Sequence, residues 1–250
     1  MILNVQGLRF HYPGRPVLEE ASFSVERGEV LAILGTNGTG KTTLLKCINR
    51  ILSPAAGSVL IGDEPVTSLS RRDLAQKISY VEQQRTGSRA TVFNTVLLGR
   101  KPYIRWDISQ NDMEIASQAL ATLGLSEYAL RYLDELSGGE LQKVFIARAL
   151  AQEPEILLMD EPTSSLDLKN QLEVLTLIRQ VSCQRGIAVV VAMHDLNLAL
   201  RFADRFILLK DKMIFAAGGL EVMTPETIES VYAVPVMIAA HNGSRVVIPL

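Results

Sequence analysis

The chain has 250 residues, 48% of them hydrophobic, and a formal net charge of −2 at pH 7. That length and apolar share suit one large domain, or a core with a smaller subdomain, around a sizeable interior. The near-neutral balance without a long basic run argues against nucleic acid as a partner.

No apolar run reaches the roughly 18 residues of a membrane span. The longest, Ile187 to Met193, is strand-sized. The N-terminus lacks a charged start followed by an apolar stretch and a cleavage site, so no signal peptide is expected. Two cysteines, Cys47 and Cys183, make no disulfide framework and point to a cytosolic chain. No internal repeat or low-complexity linker stands out.

In chain order, Ile2 to Phe10 and Ala21 to Val25 read as strands, with Pro13-Gly14 as a turn. Val30 to Leu34 is continuously apolar, as a buried parallel strand would be. A glycine-rich loop follows, then a helix whose apolar stripe is Leu44, Leu45, Ile48, Ile51 and Leu52. Ser58 to Ile61 and Ile78 to Val81 read as further strands. Arg71-Arg72 reads as a solvated helix start. From about Gln84 to Ala151 the chain turns helical. There Ser109 is an expected N-cap, with Asp112 three residues on and Gly124 past the end. Ile156 to Met159 resumes the buried-strand pattern. A helix marked by Leu168, Leu172, Leu175 and Ile178 leads to strands at Ile187 to Ala192 and Phe206 to Leu209. This alternation implies a parallel α/β sheet. The tail from Gly218 is mixed and has no assigned role.

GTNGTGKTT, running from Gly35 to Thr43, fits the G-x-x-x-x-G-K-[ST] pattern between a strand and a helix. Glycines let several backbone N–H groups converge on one phosphate. Lys41 can reach the β- and γ-phosphates and Thr42 can place its hydroxyl on Mg²⁺. The loop signals a nucleoside triphosphate without choosing among kinase, G protein, helicase and transport ATPase. ILLMDEP ends a buried strand on two carboxylates, where ligands sit in open α/β sheets. Asp160 is expected to hold Mg²⁺ and Glu161 to orient or deprotonate water. Gln83 follows another strand and can touch metal and water together, although the neighbouring Gln84 could take that part. His194 follows IAVVVAM. It could be a helix cap, but as a further strand-end residue it is favoured as a γ-phosphate contact. Tyr12 either stacks on a base or packs. LSGGE, Leu136 to Glu140, is a second serine-glycine helix start and a good anion site.

Cradle, glutamine, LSGGE, DEP, SSLD and a final histidine occur in one order over nearly the whole chain. That order resembles the ATP-binding-cassette (ABC) ATPases. The resemblance implies an α/β fold: a P-loop NTPase core with a parallel sheet, an N-terminal antiparallel β subdomain and an inserted α-helical subdomain. The expected division is core 1–83 and 152–217, insert about 84–151 and extension 218–250. It implies that Gly35, Thr36, Asn37, Gly38, Thr39, Gly40, Lys41, Thr42 and Thr43 cradle ATP. Tyr12 would stack on the base, and Thr42, Gln83 and Asp160 would serve Mg²⁺. Lys41, Gln83, Glu161 and His194 would serve catalysis, with the loop Ser164 to Asp167 nearby. It also implies a partner copy, because in this family Ser137, Gly138, Gly139 and Glu140 of one subunit face the ATP held by the other. Thr36, Thr39, Glu82 and Glu140 depart from the common pattern without removing a phosphate, metal or water ligand.

Val96, Gly99, Arg100 and Pro102, in TVFNTVLLGRKPYIRW, match a V-x-x-G-R-x-P pattern of the iron-siderophore, haem and cobalamin importer ATPases. LDLKNQ, HDLNLA and the TPE-then-VY stretch (Thr224 to Tyr232) match as well. This likeness implies a subunit on the cytoplasmic face of the membrane, docked on a permease dimer that a separate binding protein serves. Arg100 and Tyr103 are then expected to matter for coupling, while Val92, Phe93, Val96 and Leu97 pack the insert. A soluble ABC ATPase assisting iron–sulfur cluster assembly would share every ATP motif. A kinase or G protein would leave LSGGE without work, and no N-K-x-D motif is present.

Overall fold

The computed structural model describes residues 1–83, 89–164, 166–241 and 243–250. The chain opens on an antiparallel hairpin, β1 (Leu3–Tyr12) and β2 (Arg15–Val25), that turns at Pro13-Gly14. The fully buried β3 (Val30–Leu34) leads through the glycine loop into α1 (Lys41–Ile48). Next come β4 (Ala56–Ile61), β5 (Glu64–Pro65), α2 (Arg71–Lys77) and β6 (Ile78–Val81). The helices α3 (Val92–Leu97), α4 (Gln110–Thr122) and α5 (Gly138–Ala151) separate β6 from β7 (Ile156–Asp160). Then follow α6 (Leu168–Arg185), β8 (Ala188–Ala192), α7 (Leu196–Phe202), β9 (Arg205–Lys210) and β10 (Met213–Gly218). The tail holds α8 (Pro225–Tyr232) and a hairpin of β11 (Val236–His241) and β12 (Ser244–Pro249).

The central sheet has the order β10-β9-β3-β8-β7-β6, parallel except for the antiparallel β9–β10 pair. A second, antiparallel sheet has the order β2-β1-β4-β5. Strands buried on both faces explain the unbroken apolar runs. In β3, Val30, Ala32 and Leu34 enter a core shared with α3 to α8, whereas Leu31 and Ile33 enter another shared with α1 and the antiparallel sheet. β7 alternates likewise, with Leu157 and Met159 on one side and Ile156 and Leu158 on the other. Among the described residues no helix is long and apolar enough to cross a membrane.

Ser109 caps α4 through a capping box with Asp112, as the spacing predicts. The α1 stripe runs shorter than expected. The helix ends at Ile48, Arg50 adopts φ 51°, and Ile51 is half exposed. β2 starts six residues before Ala21. A turn to φ 54° at Glu20 and the adjacent Glu19 hide that start, because both interrupt the apolar pattern. The tail joins the main core, since Met223, Ile228, Val231, Val236 and Val247 are all buried in it.

The V-x-x-G-R-x-P stretch fastens the insert and does not offer Arg100 to a partner. Arg100 is 3% exposed. Its Nε donates to Asp112 (3.0 Å) and its Nη1 to the Ala151 carbonyl (2.8 Å) and Glu153 (2.7 Å). The Ser109 hydroxyl, then Arg100, hold the Asp112 carboxyl below the usual carboxylate range. A Cβ at Gly99 would stand 2.2 Å from the Arg148 carbonyl, so only glycine lets this turn lie against α5. Tyr103 donates its hydroxyl to the Gln152 carbonyl at 3.0 Å, and Arg72 donates to the carbonyls of Pro102 (2.6 Å) and Tyr103 (3.0 Å). The expected coupling role of Arg100 therefore gives way to a structural one. Removing one partner of a buried ion pair costs about 3–5 kcal/mol. Urea unfolding of Arg100→Ala should show a loss of that size, while Arg105→Ala, on the exposed loop, should stay near the parent.

Candidate functional site

The site forms where parallel strands end. At Gly35 the chain leaves β3 with φ 143°, and a Cβ there would meet the Leu209 carbonyl at 2.6 Å. Gly40, at φ 105°, is the N-cap of α1, whose free N–H groups face the loop. Thr36 and Thr39, two departures from the common pattern, brace it, since Thr39 Oγ1 donates to the Thr36 carbonyl at 2.9 Å. Lys41 is 5% exposed, and its Nζ donates to the carbonyls of Gly35 (2.8 Å) and Thr36 (3.1 Å). Burial pulls its pKa down, while the Glu161 and Asp160 carboxylates act the other way.

The buried Asp160 closes β7. Its Oδ1 accepts from the Thr42 hydroxyl at 3.0 Å and its Oδ2 from the Tyr80 hydroxyl at 3.3 Å. Burial raises its pKa, against the pull of the Thr42 hydrogen bond. Burial also raises the Tyr80 phenol. In sequence, the lone tyrosine of the apolar strand ISYVE carries no signal of this contact.

Glu161 turns the chain at φ 48°, in the left-handed region that a glutamate seldom occupies, and its N–H donates to the Ala192 carbonyl at 3.1 Å. Its carboxylate is gripped twice: Oε2 accepts from the Gln83 amide, and Oε1 pairs with His194 Nε2. Gln84 and Ser165 lie outside the described residues. His194 is not the helix cap. Asp195 caps α7, accepting from the N–H groups of Asn197 (2.8 Å) and Leu198 (2.9 Å). Asp167 caps α6 in the same way through Asn170 N–H. Tyr12 is 44% exposed, stands edge-on to Phe10 with centroids 5.0 Å apart, and lines a cavity of about 240 Å³ with Asn37, Gly38, Gly40, Lys41, Thr42, Thr43 and Glu161.

Ser137 to Glu140 stand apart, bonded to one another. Helix α5 starts at Gly138, with Ser137 as N-cap. Ser137 donates its N–H and hydroxyl to Glu140 Oε2 at 2.8 and 2.6 Å, and these bonds hold the Glu140 carboxyl below the usual range. An ionised carboxylate has no hydrogen to offer a phosphate, so the side chain of Glu140 shapes the loop. A Cβ at Gly139 would collide with Asn170, 2.5 Å away, whereas one at Gly138 would meet nothing within 4 Å. Among the described residues nothing thus requires the first glycine to be glycine, and it is exposed.

A phosphate-type loop, oxygen donors at the end of β7 and a carboxylate aimed at the same point define a P-loop NTPase cassette. The ABC transporter family matches residues 18–164, and the chain belongs to that family as an ATP-binding, ATP-hydrolysing member coupled to transport. It is 55% identical, over all of this chain and 98% of the other, to an uncharacterised ABC transporter ATP-binding protein of Methanocaldococcus jannaschii. It is 39% identical to a hemin import ATP-binding protein of Gloeobacter violaceus, covering all of this chain and 94% of that one. The solved structure of a transporter described as metal-chelate type, in an inward-facing conformation, superposes with a TM-score of 0.87 at 31% identity, covering 100% of this chain and 97% of that one.

Proposed function

We propose that the chain is the ATPase subunit of a metal-chelate importer, working as a head-to-tail pair of copies with two ATP molecules between them. The observation that carries the pairing is the outward-facing helix start at Ser137-Gly138, built for an anion yet bonded to nothing in the cradle. Ser137, Gly138 and Gly139 of one copy would close over the γ-phosphate held by Gly35 to Thr43 of the other. Tyr12 would stack on the adenine. Lys41 would exchange the Gly35 and Thr36 carbonyls for phosphate oxygens. Thr42 and Asp160, with Gln83, supply the oxygen donors a hard cation prefers, so the set fits Mg²⁺. When bound, Mg²⁺ neutralises charge on the β- and γ-phosphates. Glu161 would take the proton of the attacking water, which requires Gln83 or His194 to release it, and His194 would then align the γ-phosphate.

The docking surface for a short helix of the permease is a groove of about 670 Å³ between core and insert, lined by Ile51, Arg71, Ala75, Tyr80, Phe145 and Arg148. Tyr80 reaches from this groove to Asp160, so an occupant there would touch the metal-holding carboxylate through one side chain. Two copies would engage a permease dimer on the cytoplasmic face of the membrane. A separate binding protein would deliver cargo that never meets this chain. Likeness to a hemin import protein and to a metal-chelate type transporter supports that cargo class. The test is a tagged pull-down from detergent-solubilised membranes of the native host. A multi-helix permease in equal amount is expected. Recovery with soluble iron–sulfur assembly proteins alone would overturn the importer assignment. Ile51→Asp, at a half-exposed groove position, should lose the permease and keep the isolated ATPase within about twofold.

A further inference from the structure

Where β3 stops, its hydrogen-bond ladder stops too, since Leu34 is its last residue registered against β9. The next backbone donor, Gly35 N–H, opens the phosphate cradle and needs an acceptor. It donates to the phenolic oxygen of Tyr232 at 3.0 Å, across a sequence separation of 197. Tyr232 ends α8, and burial pushes its phenol up to about 12, so the hydroxyl is neutral at physiological pH. A second tie reaches the other side of the site. Asn197, three residues after His194, accepts from Val247 N–H through Oδ1 at 2.7 Å and donates Nδ2 to the Val247 carbonyl at 3.2 Å. The amide acts as an extra strand partner for β12 and holds α7 against the tail hairpin. Burial of Ile228, Val231, Val236 and Val247 would be enough to pack the tail. It explains neither the hydroxyl on Gly35 nor the paired bonds of Asn197.

We infer that the C-terminal segment 225–250 is a positioning element of the ATPase site. Tyr232 fixes the entry of the phosphate loop, and the Asn197–Val247 tie fixes the helix behind His194. The inference rests on Gly35 to Thr43 being the phosphate cradle, so Lys41→Ala is the control. Tyr232→Phe deletes one oxygen and keeps the ring. A single neutral hydrogen bond corresponds to about fivefold in affinity, so the MgATP Kd should rise by about that factor with kcat within about twofold. Asn197→Ala loses two bonds on the His194 side and should lower kcat by about 25-fold with Kd within about twofold. Both are measured well below the unfolding temperature, where a purely structural loss lowers Tm and leaves Kd and kcat unchanged. If Lys41→Ala loses MgATP while either variant lacks its shift, the inference is overturned. If Lys41→Ala binds MgATP like the parent, the cradle assignment itself fails and the inference falls with it.

Discussion

Glu161→Gln should keep ATP binding and lose hydrolysis by about 10²–10⁴-fold, the range a positioned general base contributes. The substitution changes one atom of the side chain and leaves its length and the turn at φ 48° unchanged. The amide oxygen can still accept from one of its two neighbours, Gln83 or His194. Only the capacity to take a proton from water is removed. Because ATP would then persist, whatever assembly ATP favours should accumulate. Single-turnover release of phosphate measures the chemical step directly. Release at the parent rate would move the base to another residue.

Ser137→Arg should bind MgATP as a monomer and hydrolyse it at least about 100-fold more slowly, as loss of a preorganised phosphate donor implies. The cradle lies between β3 and the start of α1 and should be untouched, whereas Ser137 caps α5 and faces outward. Loss of the capping box costs helix stability of about 0.5–2 kcal/mol, which an unfolding curve separates from the catalytic effect. Mixing provides the decisive control. Lys41→Ala and Ser137→Arg, each inactive alone, should together regain turnover. A mixed pair has one site with an intact cradle on one copy and an intact serine loop on the other. A site completed within one chain would regain nothing on mixing.

Much of this was legible in the sequence, for physical reasons. Strands buried on both faces read as unbroken apolar runs, and the loops that follow them carry chemistry at their first residues, so Asp160, Glu161, Gln83 and His194 announced themselves by position. Caps such as Ser109 follow from a few residues of local pattern. What stayed hidden depends on distant contacts. Nothing near Tyr232 or Asn197 in sequence indicates Gly35 or Val247 as partners. β10 leaves a weak trace in the sequence because its side chains alternate between exposed and half buried at a sheet edge. Arg100 reads in sequence as a coupling residue of the V-x-x-G-R-x-P pattern, and only the fold brings Asp112, Ala151 and Glu153 around it. Glu140 matched a phosphate-facing motif, yet its carboxylate turns back onto Ser137.

The central claim is that ATP is closed between two copies of this chain. The most direct measurement is the mass of Glu161→Gln in solution with ATP, together with a count of the nucleotide that stays bound. Two chains carrying two ATP molecules, falling back to single chains when Ser137→Arg is added to the same protein, is the predicted result. A single chain that holds one ATP at every protein concentration would contradict it.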